Sequence, residues 1–302
     1  MKNFKAVFLS VGLGLISLVS NGQQLAHYSQ FFLNDYVLNP AVAGTHSYFD
    51  VNSTYRYQWV GIQDAPRTFL LSMNGPVGSK GNMGIGGYVY SDVTGPTRKT
   101  GFKASYAYNF KITDKVKLSF GLAGGLMQFA VDGSEITLNE KNDQAIASVW
   151  TAAYTPDAAF GAYLYHDDFF VSLSIPQLIG TKLQLAEGYS STDNSLKNHY
   201  FISGGYTFHI NDEFDVQPLV QAKYIPPTNP QIDIGARVIW NEMIWLGGTY
   251  RSEDAASIFA GINFLENFSF GYAYDIITND IQQVSSGTHE IVLGLKFNER
   301  KD

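Results

Sequence analysis

Fourteen segments of alternating residues run through this 302-residue chain, and the connections between them keep a two-beat rhythm, long then short. An antiparallel barrel that crosses a membrane produces that rhythm, because turns on one side stay short while loops on the other grow. The segments read as 47–59, 66–75, 82–92, 98–110, 115–128, 155–166, 169–176, 197–210, 213–225, 230–240, 242–252, 255–265, 267–276 and 287–298. Thr113-Asp114, Asp167-Asp168 and Asn211-Asp212 form short turns, and Asn241 and Glu266 each stand alone between two segments. The turn near Gly75–Gly81 is longer than its peers. The largest connections cover about 129–154, 177–196 and 277–286.

Successive strand side chains point to opposite faces, so alternation sorts each segment into two surfaces. The fifth segment sets Val116, Leu118, Phe120, Leu122 and Leu126 against Lys117, Ser119, Gly121, Ala123 and Gly125. The thirteenth sets Phe268, Phe270, Tyr272 and Tyr274 against Ser269, Gly271, Ala273 and Asp275. The last sets Ile291, Leu293, Leu295 and Phe297 against Glu290, Gly294 and Lys296. In a membrane barrel the apolar face meets lipid and the polar face meets the lumen. A soluble barrel reverses the two, and alternation alone does not separate them. The expected fold is all-β: an antiparallel transmembrane barrel of about fourteen strands over residues 47–298.

Composition narrows the choice. Aromatic residues make up 15% of the chain, enough to furnish girdles at both membrane interfaces. No stretch beyond the leader reaches the ~18 apolar residues of a membrane helix. Lys2 and Lys5 precede an apolar run from Ala6 to Val19, and Ser20 and Gly22 suit cleavage before Gln23. Residues 1–22 therefore read as a secretory signal. Its loss removes two lysines, taking the formal charge from −7 to −9. An acidic exported chain without basic clusters argues against nucleic acid as a partner. The absence of cysteine excludes disulfides and thiolate metal sites.

Residues 23–46 lack clean alternation. They carry Tyr28, Phe31, Phe32, Tyr36 and Leu38, which water would solvate poorly. A turn or short helix that packs in or across the lumen accounts for them, with Gly44 suited to a helix end or a φ > 0 turn. Residues 299–302 read as a polar tail that frays on the short-turn side, together with both termini.

Several motifs resemble the PorP/SprF family of outer-membrane proteins of type IX secretion. The entrance Ser29-Gln30-Phe31 with Asn39-Pro40-Ala41-x-Ala43-Gly44 looks like that family's opening. Arg56-x-Gln58-Trp59 followed by Pro66-x-Thr68 is similar to its first hairpin. Ser286-Gly287-Thr288-His289-Glu290-Ile291 resembles its closing strand. The resemblance spans the mature chain. It implies an accessory outer-membrane barrel that recognises, retains or hands over a cognate secreted surface protein. Such cargo carries a type B C-terminal secretion domain and includes gliding adhesins. Other type IX components and outer-membrane lipid are the further implied partners. A diffusion channel or small-solute transporter is the alternative.

Candidate sites follow from the same reading. His27, His46, His166, His199, His209 and His289 are dispersed, and no G-x-S-x-G elbow occurs, so no catalytic residue and no enzyme activity is assigned. Asp167-Asp168, Asp212-Glu213 and Glu253-Asp254 offer hard oxygens but no calcium-loop pattern, so no metal or cofactor is assigned. Arg56 and Gln58 share a parity with Thr54 and point to the lumen, where Arg56 needs a carboxylate or carbonyl partner that the N-terminal segment could supply. Trp59, of opposite parity, suits a membrane interface. The long connections offer Leu138, Ile146, Val149 and Trp150, then Leu183, Leu185 and Tyr189, either as a partner-binding patch anchored by Trp150 or as a cover for the barrel mouth.

Overall fold

The computed structural model describes residues 26–136, 150–180 and 197–300. Fourteen antiparallel strands pair in sequence order, and the last closes on the first. They are β1 (Phe49–Tyr57), β2 (Arg67–Val77), β3 (Met83–Thr94), β4 (Thr97–Lys111), β5 (Lys117–Asp132), β6 (Trp150–Tyr165) and β7 (Phe169–Ile175). Then come β8 (Tyr200–Tyr206, broken at Thr207 and resumed at Phe208–His209), β9 (Phe214–Tyr224), β10 (Gln231–Trp240), β11 (Ile244–Arg251), β12 (Ala255–Phe264), β13 (Phe268–Ile277) and β14 (Thr288–Phe297). Closure runs in register from Phe49 opposite Phe297 to Tyr57 opposite His289.

The faces are those of a membrane barrel. Along β2, Thr68, Leu70, Ser72 and Asn74 are buried inside, while Phe69, Leu71 and Met73 are exposed outside. Outward aliphatics such as Leu122, Ile202, Ile234, Leu246 and Leu293 fill the middle of the outer surface. Aromatics mark its two ends. Tyr206 packs on Phe208 and Phe264 on Phe268 at the short-turn end. Tyr200 packs on Tyr224, and Tyr272 and Tyr274 on His289, at the long-loop end. That order of apolar band and aromatic borders is what a bilayer selects.

Several boundaries differ from the sequence reading. β5 continues to Asp132 and β6 begins at Trp150, so the connection expected over 129–154 shrinks at both ends. β3 and β4 run to Thr94 and from Thr97, leaving Gly95-Pro96 as a two-residue turn on the long-loop side. The single-residue turns are three residues long, and each holds two successive left-handed residues, Asn241-Glu242 and Leu265-Glu266. Gln58 and Trp59 lie beyond the end of β1, so strand parity does not orient them. Arg300 does not fray: its guanidinium donates to the carbonyls of Gly78 (2.7 Å) and Pro76 (3.2 Å), and its N–H to Ser47 (2.9 Å).

Residues 26–46 run inside the barrel as three short 3₁₀ turns, Phe31–Leu33, Asp35–Val37 and Pro40–Val42. Asn39 caps the last, its Oδ1 accepting from the Ala41 N–H at 2.9 Å. The apolar core therefore lies in the lumen. Tyr36, Ala41 and Val42 pack against Leu70, Ala107 and Tyr163 on one side. Phe32 and Leu33 pack against Trp245, Phe259 and Ala273 on the other.

Candidate lumenal site

Inward parity brings charges from five strands into one linked cluster. Arg56 of β1 donates to Asp275 of β13 at 2.6 Å and to Glu290 of β14 at 3.0 Å. All three are buried. The carboxylates thus come from the barrel wall, not from the N-terminal segment as the sequence suggested. That segment supplies Ser29, whose hydroxyl accepts from Arg56 (2.9 Å) and donates to Asp275 (2.6 Å). The backbone N–H groups of Ser29 and Gln30 donate to the two oxygens of Glu290 at 2.9 and 2.8 Å. Arg251 of β11 adds a second guanidinium, 3.1 Å from Asp233 and 3.2 Å from Asp254. Buried charges persist only when paired and hydrogen-bonded, and here each strand charge meets an opposite charge, with the segment adding hydrogen bonds to Arg56, Asp275 and Glu290.

Glycines make room for the segment's backbone. Built at Gly84, a Cβ would overlap the Ala43 carbonyl; at Gly161, the Asn39 side chain. At Gly121 it would meet Ala41 and Pro40, and at Gly271 the Gln30 side chain. Gly44 turns with φ +72° against Gly84, which only glycine does at no steric cost. Asn39 Nδ2 ties the middle of the segment to the Ser172 hydroxyl (2.8 Å) and the Ala162 carbonyl (3.0 Å). Phe31 is buried, and Phe32 lies between the Arg237 guanidinium (4.4 Å) and the Phe259 ring (5.0 Å). Gln30 is fully enclosed. The motif residues Gln30, Phe31, Asn39, Pro40, Ala43 and Gly44 thus meet one continuous interior surface.

Beside the segment lies a cavity of about 60 Å³. Tyr28, Leu70, Tyr88, Tyr90 and Met127 give it an apolar wall. Lys103 of β4 and Asp157 of β6 pair at 2.8 Å at its edge, and Lys103 also donates to the Pro176 carbonyl. On the segment, burial first and Lys223 second push His27 well below its ordinary pKa.

The remaining candidates fall elsewhere. Trp59 is half-buried in the first connection with φ 54°, and its N–H donates to the Thr288 hydroxyl at 3.1 Å. His289 faces outward and meets the Tyr272 hydroxyl at 2.7 Å, apart from its neighbour Glu290. Trp150 is the first residue of β6, faces outward and carries the Arg98 guanidinium 5.7 Å from its ring. Leu138, Ile146, Val149, Leu183, Leu185 and Tyr189 lie outside the described residues, as does the leader. Among the turn carboxylates, Asp168 meets His209 (3.2 Å) and His166 (3.3 Å). Sequence reasoning named Ser29 only as part of a motif, without a role, and missed Arg251, Asp233, Lys103 and Asp157. An isolated charge at inward parity was the available signal for the last four, but not for which charge it meets across the barrel.

The fold has solved relatives. The toluene transporter TbuX of Ralstonia pickettii is 9% identical with a TM-score of 0.56, covering 88% of this chain and 93% of that one. The toluene transporter TodX of P. putida is 8% identical with a TM-score of 0.54, covering 89% and 95%. Identities this low establish a shared outer-membrane barrel architecture and nothing of the cargo. A search of curated proteins returns no match to this sequence. The model of the type IX secretion system membrane protein PorP/SprF family matches residues 20–295, nearly the whole chain, and the protein belongs to that family.

Proposed function

We propose that this barrel is an accessory of type IX secretion that recognises, retains or hands over one cognate secreted surface protein. In this reading the cargo carries a type B C-terminal secretion domain, as gliding adhesins do, and the barrel is a binding module without covalent chemistry. The supporting observation is the use of the lumen. A barrel of this size could hold a channel, since interior width grows with strand number. Here Asn39 ties residues 26–46 to the β6 and β7 side, while Ser29 and Gln30 tie them to Glu290 across the interior. Such an interior suits a rigid scaffold more than a solute path.

Loops on a rigid scaffold commonly carry recognition. The connections 133–149, between β5 and β6, and 176–199, between β7 and β8, are the longest on their side. Trp150, exposed at the top of β6, is the anchor candidate within the described residues. Shortening both connections should abolish co-purification and surface display of the cognate cargo while the barrel stays folded and general secretion continues. Normal display by that variant would reject the proposal.

The cavity beside Tyr88 and Met127 favours a second reading, passage of a small solute. Single-channel recording separates the two. A large steady conductance from the intact barrel would support the channel, and a low one the binding module.

A further inference from the structure

At the short-turn end, three neighbouring turns form a connected rim. The Asn241 N–H of the β10–β11 turn donates to Glu213 of the β8–β9 turn at 2.7 Å. Asn263 holds the β10–β11 turn to β12, its N–H on the Met243 carbonyl and its Nδ2 on the Glu242 carbonyl, both at 2.6 Å. Large apolar side chains stand out along this rim: Ile210 is 62% exposed, Met243 47% and Leu265 77%. Carboxylates stand between them, Asp212 and Glu213, Glu242 and Glu266, with no lysine or arginine in any of the three turns. The opposite arc differs in sign. Lys80, Lys111, Lys115 and Lys117 cluster around the β2–β3 and β4–β5 turns, with Arg300 beside Gly78.

Lipid is a poor partner for the acidic arc. Met243 and Leu265 lie in turns beyond the aromatic border marked by Trp240, Phe264 and Phe268. Exposed carboxylates on both sides keep those turns in water, because a charge drawn into the apolar layer costs several kcal/mol. Leu265 is moreover 77% exposed in a left-handed conformation (φ 51°), where asparagine or glycine sits without penalty. Its apolar side chain therefore has no local benefit.

We infer that the rim of Ile210, Met243 and Leu265, with Asp212, Glu242 and Glu266, docks a soluble protein whose contact face has an apolar hollow bordered by lysine or arginine. Complementary charge selects that class, since an acidic or neutral face would meet unpaired carboxylates. A second copy of this rim would repel itself. The contact is separate from cargo recognition, which lies at the other end of the barrel.

A photoreactive residue at position 265, introduced into the full-length protein in intact cells, tests this. The expected product is a cross-link to one soluble protein through a basic face. Asp212→Lys/Glu242→Lys/Glu266→Lys should cut that product at least tenfold, and reversing the basic residues on the captured face should restore it. Met243→Ser should weaken it, whereas Ile112→Ser, at a position more exposed (55%) but within the basic arc, should not. Barrel folding is checked for every variant by heat-modifiable migration. Cross-links to lipid alone, or a protein cross-link indifferent to charge reversal, would overturn the inference. Co-purification of cargo, measured alongside, shows whether the cargo reading stands when this contact fails.

Discussion

Arg56 shows how one residue of the first strand closes the barrel. Its two carboxylate partners come from β13 and β14, so the ion pairs span the junction where chain end meets chain start. Arg56→Met should leave Asp275 and Glu290 without their shared counter-charge, costing about 3–5 kcal/mol as broken buried pairs do. Arg56→Lys should rescue little, because one ammonium cannot reproduce the fork that meets both carboxylates and Ser29. Urea unfolding followed by heat-modifiable migration reads both effects. Asp35, on the lumenal segment, is pushed up to about 7, first by burial and then by the charge of Asp50, against a hydrogen bond from Tyr163. A carboxyl with a raised folded pKa binds more protons docked than free, so the Asp35 contribution to docking is greatest at low pH. That contribution is lost as pH rises from about 4, where the free carboxyl ionises, through about 7. Protease protection of residues 26–46 in the native chain should fall relative to that of Asp35→Asn across that window, the opposite contribution of the buried His27 being common to both chains and cancelling in the comparison. At this scale the sequence was half legible. Inward parity exposed Arg56 and Asp275 as lumenal, but their meeting depends on a register that joins residues 219 positions apart.

Strands were read best where lipid selects them. The closing strand reads cleanly because Ile291, Leu293 and Phe297 must be apolar and Glu290 and Gly294 must not. Lipid no longer imposes that contrast at the tops of β5 and β6. Their 16-residue lengths exceed the ~9–11 residues that span a bilayer, so the pattern fades at Phe129–Asp132 and Trp150–Tyr154 although the ladder continues. Val93, Thr94 and Thr97 were left out of their strands for a related reason: the Gly95-Pro96 signal resembled a wider loop, yet the ladder runs on to Thr94 opposite Thr97. The last strand also carries an assembly prediction. Phe297 stacks on Phe49 at 5.6 Å and ends the register that seals the barrel. Phe297→Asp puts a charge on the lipid-facing seam and should sharply reduce folded barrel in membranes. Removing residues 298–302 loses the Arg300 contacts with Gly78 and Pro76 and should cost about 1–2 kcal/mol without blocking assembly. Equal assembly of Phe297→Asp and the native chain would show that closure does not depend on this contact.

The whole molecule is a barrel folded around its own N-terminal segment, and its glycines allow that arrangement to be tested without deleting anything. Gly84, Gly121 and Gly161 belong to three strands, and each faces the segment's backbone where a Cβ would collide. Their own strand pairing does not require glycine: Gly84 lies opposite Ala107 and Gly161 opposite Ser174, in ordinary ladder positions. Valine at these sites should favour the strand and disfavour the docked segment. The double variant Gly84→Val/Gly161→Val should therefore assemble as a barrel with normal heat-modifiable migration but with residues 26–46 displaced. Displacement opens whatever width fourteen strands leave, so conductance in planar bilayers should rise from a low native value to that of a chain lacking 26–46. The segment should become protease-sensitive in parallel. If the variant assembles and protects its N-terminus like the native chain, the glycines are not the seat of the segment. If it loses protection while conductance stays low, the lumen is closed by something other than residues 26–46, and the support that lumenal occupation gives to the binding-module reading falls away.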